Sequence, residues 1–182
     1  MLTSAQKTTL KAAIDANGTW AAYPNASDGW NDLAIVLNQF TADFVVWATD
    51  VPVNLIFDAI TWKNFTPVDT PSALDAALFT ARAAQCQGQQ FNLQIMVQGQ
   101  TTINGSRSKI RDGLKDALQN ILSGASGATK DAGWSSVQTA LQRFARTGEK
   151  ILSTGTGTAQ SPATMGFEGQ LSAADVEAAR TS

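Results

Sequence analysis

Few side chains in this sequence could hold a metal ion or move a proton, and they do not converge. Asp28 and Asp32 stand four residues apart, as do Asp112 and Asp116, a spacing that places two carboxylates on one helix face, where they could share a cation. The first pair falls at a helix start, where acids favour the macrodipole in any case. The second alternates with Arg111 and Lys115, the pattern of a salt-bridged solvent face. There is no histidine, and Cys86 is the only cysteine. Serine–histidine and cysteine–histidine catalysis, Cys/His metal centres and an intrachain disulfide are thereby excluded. Cys86 lies among Ala and Gln without a basic neighbour to activate it, which predicts an inert buried thiol. The glycines of TGTGT, residues 154–158, lack the following lysine and the strand–loop–helix setting of a phosphate loop. The expectation is a protein without catalytic, cofactor-binding or metal-binding residues.

The cations are better organised. Arg107, Arg111 and Lys115 fall at i, i+4 and i+8, and Arg143, Arg146 and Lys150 form a second stripe. Either could face nucleic acid through phosphate contacts. Yet base-stacking aromatics are absent from both, and Asp112, Asp116 and Glu149 dilute them, which favours a solvated, lumen-facing or subunit-facing surface. The net charge of −2 is unevenly spread. Residues 1–100 carry four Lys/Arg against eight Asp, residues 101–150 eight against four acids, and the remainder is net −2. Such an asymmetry lets parts of one chain, or neighbouring copies, attract each other. With 43% apolar but only 15% charged residues, much of the surface is expected to be covered by partners. No apolar run approaches the ~18 residues of a membrane span, and no signal peptide is read at the start.

The elements that would position these groups read mostly as helices. Thr3 or Ser4 caps a first helix ending near Asn17-Gly18. Trp20, Tyr23 and Trp30 sit in a loop expected to fold back onto the core. From Asp28, Leu33, Val36, Leu37 and Phe40 share a helical face. Phe44–Trp47 is a strand or a buried link. Val53, Ile56, Phe57 and Ile60 mark a third helix. The strongest helix start is Thr70-Pro71-Ser72, a hydroxyl cap followed by proline at the first turn. That helix runs to Cys86, and glutamine and methionine favour its continuation through Phe91–Val97, although these residues also alternate like a strand. Ser106 opens a helix with Ile110, Leu114, Ala117, Leu118 and Ile121 on one face. A small-residue linker covers 123–129, and a sixth helix follows with Trp134, Val137, Leu141, Phe144 and Ile151 inward.

Beyond Ser153 the character changes. Residues 153–162 have almost nothing to bury. Met165, Phe167 and Leu171 are isolated apolar side chains, and Ser172 with Asp175 makes a capping-box start for a short terminal helix. The fold class expected is mainly α: a bundle of five to six helices over 1–152, then an extended C-terminal docking arm over 153–182. Met165, Phe167 and Leu171 are its partner-binding anchors, and its removal should leave the bundle folded.

Two blocks, CQGQQFNLQIMVQGQTTINGSRSKIRDGLKDALQNI and TGTGTAQSPATMGFEGQLSAADVE, together with WATDVPVNLIFDAITW, resemble small proteins encoded among the virion genes of tailed bacteriophages. The resemblance implies a neck component, and head-to-tail adaptors are similar in design. It further implies a homo-oligomer, a dodecameric ring below the portal, with portal and tail or neck proteins as partners. DNA would be passing cargo in the lumen, and the location would be the virion, assembled in the host cytoplasm. Head decoration, tail completion and a monomeric helical DNA-associated regulatory module remain the alternatives.

Overall fold

The computed structural model describes residues 1–67, 76–124 and 127–182. About 53% of the structure is helix and 15% short strand, so the fold is mainly helical with small β elements rather than helix alone. The chain divides into two units, Met1–Trp47 with Arg143–Ser182, and Ala48–Gln142, the second inserted in sequence between the halves of the first.

In the first unit, α1 (Ser4–Ala16) starts at a capping box. Thr3 Oγ1 accepts from the Gln6 N–H at 3.3 Å, and the Gln6 side chain accepts from the Thr3 N–H at 2.8 Å. Leu10 and Ile14, four apart, are buried. Asn17 ends α1 and caps the single turn α2 (Gly18–Ala21) through Oδ1. Then α3 (Ser27–Leu37) buries Leu33, Ala34 and Leu37. Trp20, Tyr23 and Trp30 pack against this core, as their loop suggests. Phe40 does not share the α3 face. The helix ends at Asn38, and Phe40 opens the strand β1 (Phe40–Trp47), where it is 61% exposed.

The partner of β1 comes from the far end of the sequence. A sixth helix running through Ile151 is not what forms. In the second unit, α7 (Trp134–Ala140) buries Val137, with Leu141 buried at its cap, and stops. The chain then forms β6 (Gln142–Arg146) beside β1. The period changes from 3.6 to 2 there: Ala145 is fully buried and Phe144 is 50% exposed, so Phe144 points outward and not inward.

A single helical turn, α8 (Thr147–Ile151), and a two-residue pairing of β7 (Ser153–Thr154) with β8 (Thr164–Met165) follow. The terminal helix α9 (Ala173–Arg180) starts at the expected Ser172/Asp175 box. It packs on α1 and α3, and Leu171, Val176 and Ala179 join Leu10, Ile14, Leu33 and Leu37 in one core. The division expected at residue 152, with a docking arm beyond it, therefore gives way to a C-terminal segment that completes the first unit. The physical reason is the i, i+3 pair Val176 and Ala179, which with Leu171 covers the apolar stripes that α1 and α3 cannot cover alone.

In the second unit, β2 (Val51–Pro52) pairs antiparallel with β3 (Thr102–Ile103), Val51 opposite Ile103. Beyond it α4 (Val53–Ala59) buries Ile56, and a 3₁₀ turn at Trp62–Phe65 buries Phe65. The long helix α5 (Ala76–Val97) includes Phe91–Val97, which are thus helical, with Cys86, Leu93 and Val97 inward. The Thr70-Pro71-Ser72 start lies outside the described residues. Next, α6 (Ser108–Leu118) packs on α5, burying Leu114, Ala117 and Leu118. It begins two residues later than expected, because Ser106 Oγ instead donates to Asn104 Oδ1 at 2.6 Å. Then β4 (Ile121–Leu122) pairs antiparallel with β5 (Thr129–Lys130), and the middle of the expected 123–129 linker lies outside the described residues.

Candidate functional site

The second basic stripe is not a helix face. Arg143 and Arg146 lie in β6, Lys150 in α8, and all three are engaged within their own unit. Arg143 is forked onto Glu149, Nη1 to Oε2 at 2.7 Å and Nη2 to Oε1 at 2.8 Å. Glu149 is 1% exposed and also accepts the N–H groups of Arg146 (2.8 Å) and Gly169 (2.9 Å). Nη2 of Arg143 reaches Glu168 at 3.5 Å and the Met165 sulfur at 3.2 Å. Burial alone would push the Glu149 carboxyl up, but these four hydrogen bonds outweigh it and hold its pKa below the ordinary value. The hydrogen bond to Glu149 likewise raises the pKa of Arg143, against the effect of burial.

Because Glu149 titrates lower in the folded chain, its contribution to stability is complete above the unfolded carboxylate range. It is lost as pH falls through the folded value. Thermal melts between pH 7 and pH 3 should show the chain losing stability below about pH 4.5, the ordinary carboxyl value, and Glu149→Gln flattening that loss. An unchanged slope in the variant would contradict this assignment.

Arg146 donates to the Asn38 carbonyl at 2.7 Å and lies 4.4 Å from the centroid of the Phe40 ring. Lys150 pairs with exposed Asp43 at 3.4 Å and sits over Phe44, contacts worth little individually. In the first stripe, Arg111 donates to the Gly105 carbonyl at 2.7 Å; burial lowers its pKa, partly opposed by Asp112. Arg107 and Lys115 are exposed, Arg107 at a cleft of about 380 Å³ with Gln100, Asn104 and Ile110. The six cations thus do not make one open basic surface within either unit.

The three anchors are likewise engaged at home. Leu171 is buried in the α1–α3–α9 core, Phe167 packs against it, and Met165 packs on Val46, Ala145 and Ala163. Asn38 fixes the backbone of Leu171 with both side-chain atoms, each at 2.8 Å.

The carboxylate pairs stay apart from any ligand set. Asp28, Asp32, Asp112 and Asp116 are exposed, and no group of three His, Cys, Asp or Glu gathers among the described residues. Cys86 is buried, and burial pushes its thiol pKa up. Gly157, at φ +67°, lies against the Phe44 ring where a Cβ would collide, and its carbonyl accepts from Val45 at 2.7 Å. The TGTGT glycines thus include one required for packing.

Two features were missed in the sequence. Glu149, read only as diluting the basic stripe, is the hub of the first unit's polar cluster; three cations within six residues of one acid were the available signal. The second is apolar exposure: Phe40, Phe144 and Ile35 in the first unit, and Leu55, Trp62, Leu78, Phe91 and Ile95 in the second. Comparison with known proteins gives no match: no family model, curated protein or solved structure is similar to this chain.

Proposed function

We propose that this chain is a non-enzymatic structural protein of a tailed-phage virion, a neck adaptor whose copies form a ring between portal and tail with DNA passing through the lumen. The observation that carries the reading is the large apolar side chains left open in both units of a chain with only 15% charged residues. Surfaces of that kind serve contacts with other subunits. The resemblance to virion-gene products points the same way. The docking task assigned in sequence to Met165, Phe167 and Leu171 falls to these exposed side chains, since the three anchors hold the first unit together.

A DNA-associated monomer is less well supported, because Arg111, Arg143 and Arg146 spend hydrogen bonds on internal carbonyl and carboxylate oxygens. Peptide mass spectrometry of purified virions, with electron microscopy of particles labelled on this chain, tests the proposal. The expected result is a fixed copy number at the neck. Absence from virions, or turnover of a small molecule by the solitary chain, would refute it.

A further inference from the structure

Helix α5 carries a second apolar stripe opposite the one it buries. Arg82, Cys86, Leu93 and Val97 face inward. Ala81, Ala84, Gly88, Phe91 and Ile95 recur at spacings of 3, 4, 3 and 4, the a/d rhythm of a helix–helix seam. All five are exposed, Phe91 by 60% and Ile95 by 54%. The only charged residue among the helix's 22 is the buried Arg82, so α5 shows solvent no charge at all. A solvated helix face normally carries several.

We propose that this face of α5 is a docking surface for a second copy of the chain, two α5 helices packing antiparallel about Gly88. The stripe is small at its N-terminal half and large at its C-terminal half. Reversed about Gly88, Phe91 of one copy falls beside Ala84 of the other, and Ile95 beside Ala81. Large side chains then meet small ones on both sides of a central Gly88–Gly88 crossing, which lets the helices approach closely. This complementarity is of the stripe with itself, and it selects a second copy over an unrelated partner. The missing charge serves the same end, since identical charged faces would repel when brought together. Gly88 fits as well. Glycine is unfavourable in a helix interior relative to alanine, and among the described residues nothing outside its own helix turn lies within 4 Å of where its Cβ would be, so no contact among them accounts for it.

From Ala81 to Ile95 the seam runs about 21 Å along a helix about 10 Å wide. That strip, roughly 200 Å² on each copy, falls well below the roughly 1,200–2,000 Å² that stable interfaces bury, so the contact is weak. The dimer is accordingly concentration-dependent. It does not rest on the virion reading: a two-fold contact closes as a dimer, whereas a ring requires a separate heterologous surface.

Sedimentation of the full chain over a micromolar to millimolar series tests this. The wild type is expected to shift from monomer to dimer, and Phe91→Asp to weaken the dimer at least tenfold with an unchanged melting curve. Gly88→Cys, which the open space over Gly88 accommodates, should form disulfide-linked dimers on oxidation, with Lys109→Cys on the exposed side of α6 as the collision control. A wild type that stays monomeric throughout, a Phe91→Asp variant that still dimerises equally, or Gly88→Cys cross-linking no better than the control would each overturn the proposal.

Discussion

Deletion of residues 153–182 is expected to unfold the first unit rather than release a free arm. Leu171 and Val176 are buried, and each large apolar side chain removed from water contributes roughly 1.5–3 kcal/mol. Their loss also uncovers Leu10, Ile14, Leu33 and Leu37, the buried sides of α1 and α3. It further removes the Gly169 N–H from Glu149 and both strands of the β7–β8 pair. The sum reaches the whole stability of an ordinary domain, roughly 5–15 kcal/mol. Hydrogen exchange should show residues 1–47 losing protection in the truncated chain. A point substitution makes the same test more gently: Val176→Asp should cost about 3 kcal/mol or more, because it buries an unpaired carboxylate. A truncated chain with native protection over 1–47 would restore the detached arm.

Breaking the Arg143–Glu149 pair is the second large effect. Glu149→Ala leaves a guanidinium without its fork partner and strands two backbone N–H groups, and removing one member of a buried pair costs about 3–5 kcal/mol. Arg143 keeps some access to water, so about 3 kcal/mol is expected from denaturant unfolding. The double change Arg143→Met with Glu149→Leu should cost less than Glu149→Ala alone, because no charge is left unpaired. Equal losses in the single and double variants would show that packing, and not the ion pair, carries the effect.

What could be read from sequence was local. The Thr3 cap of α1, the Ser172/Asp175 box and the α6 stripe of Leu114, Ala117 and Leu118 all depend on residues within a few positions of one another. The failures depend on residues far apart. Nothing near Val176 says that α1 and α3, more than 130 residues earlier, need its side chain. Val137, Leu141 and Phe144 keep helical spacing by coincidence, and only the pairing of β6 with β1, about 100 residues away, turns Phe144 outward. The basic stripe failed for a related reason: sequence displays the charges of Arg143 and Arg146 but not the carboxylate and carbonyl that absorb them. On α5 the continuation through Phe91–Val97 was legible from composition. That its exposed side would be the uncharged one was not, because an apolar stripe does not say which of two faces is inward.

The proposed function requires this chain to act by assembly, through the apolar side chains left exposed in the single copy. Native mass measurement of the 182-residue chain, alone and mixed with phage neck and portal components, is the most direct test of the proposal. Multimers of the chain that bind those components are the predicted result. A single copy under both conditions, bound to nothing, would contradict it.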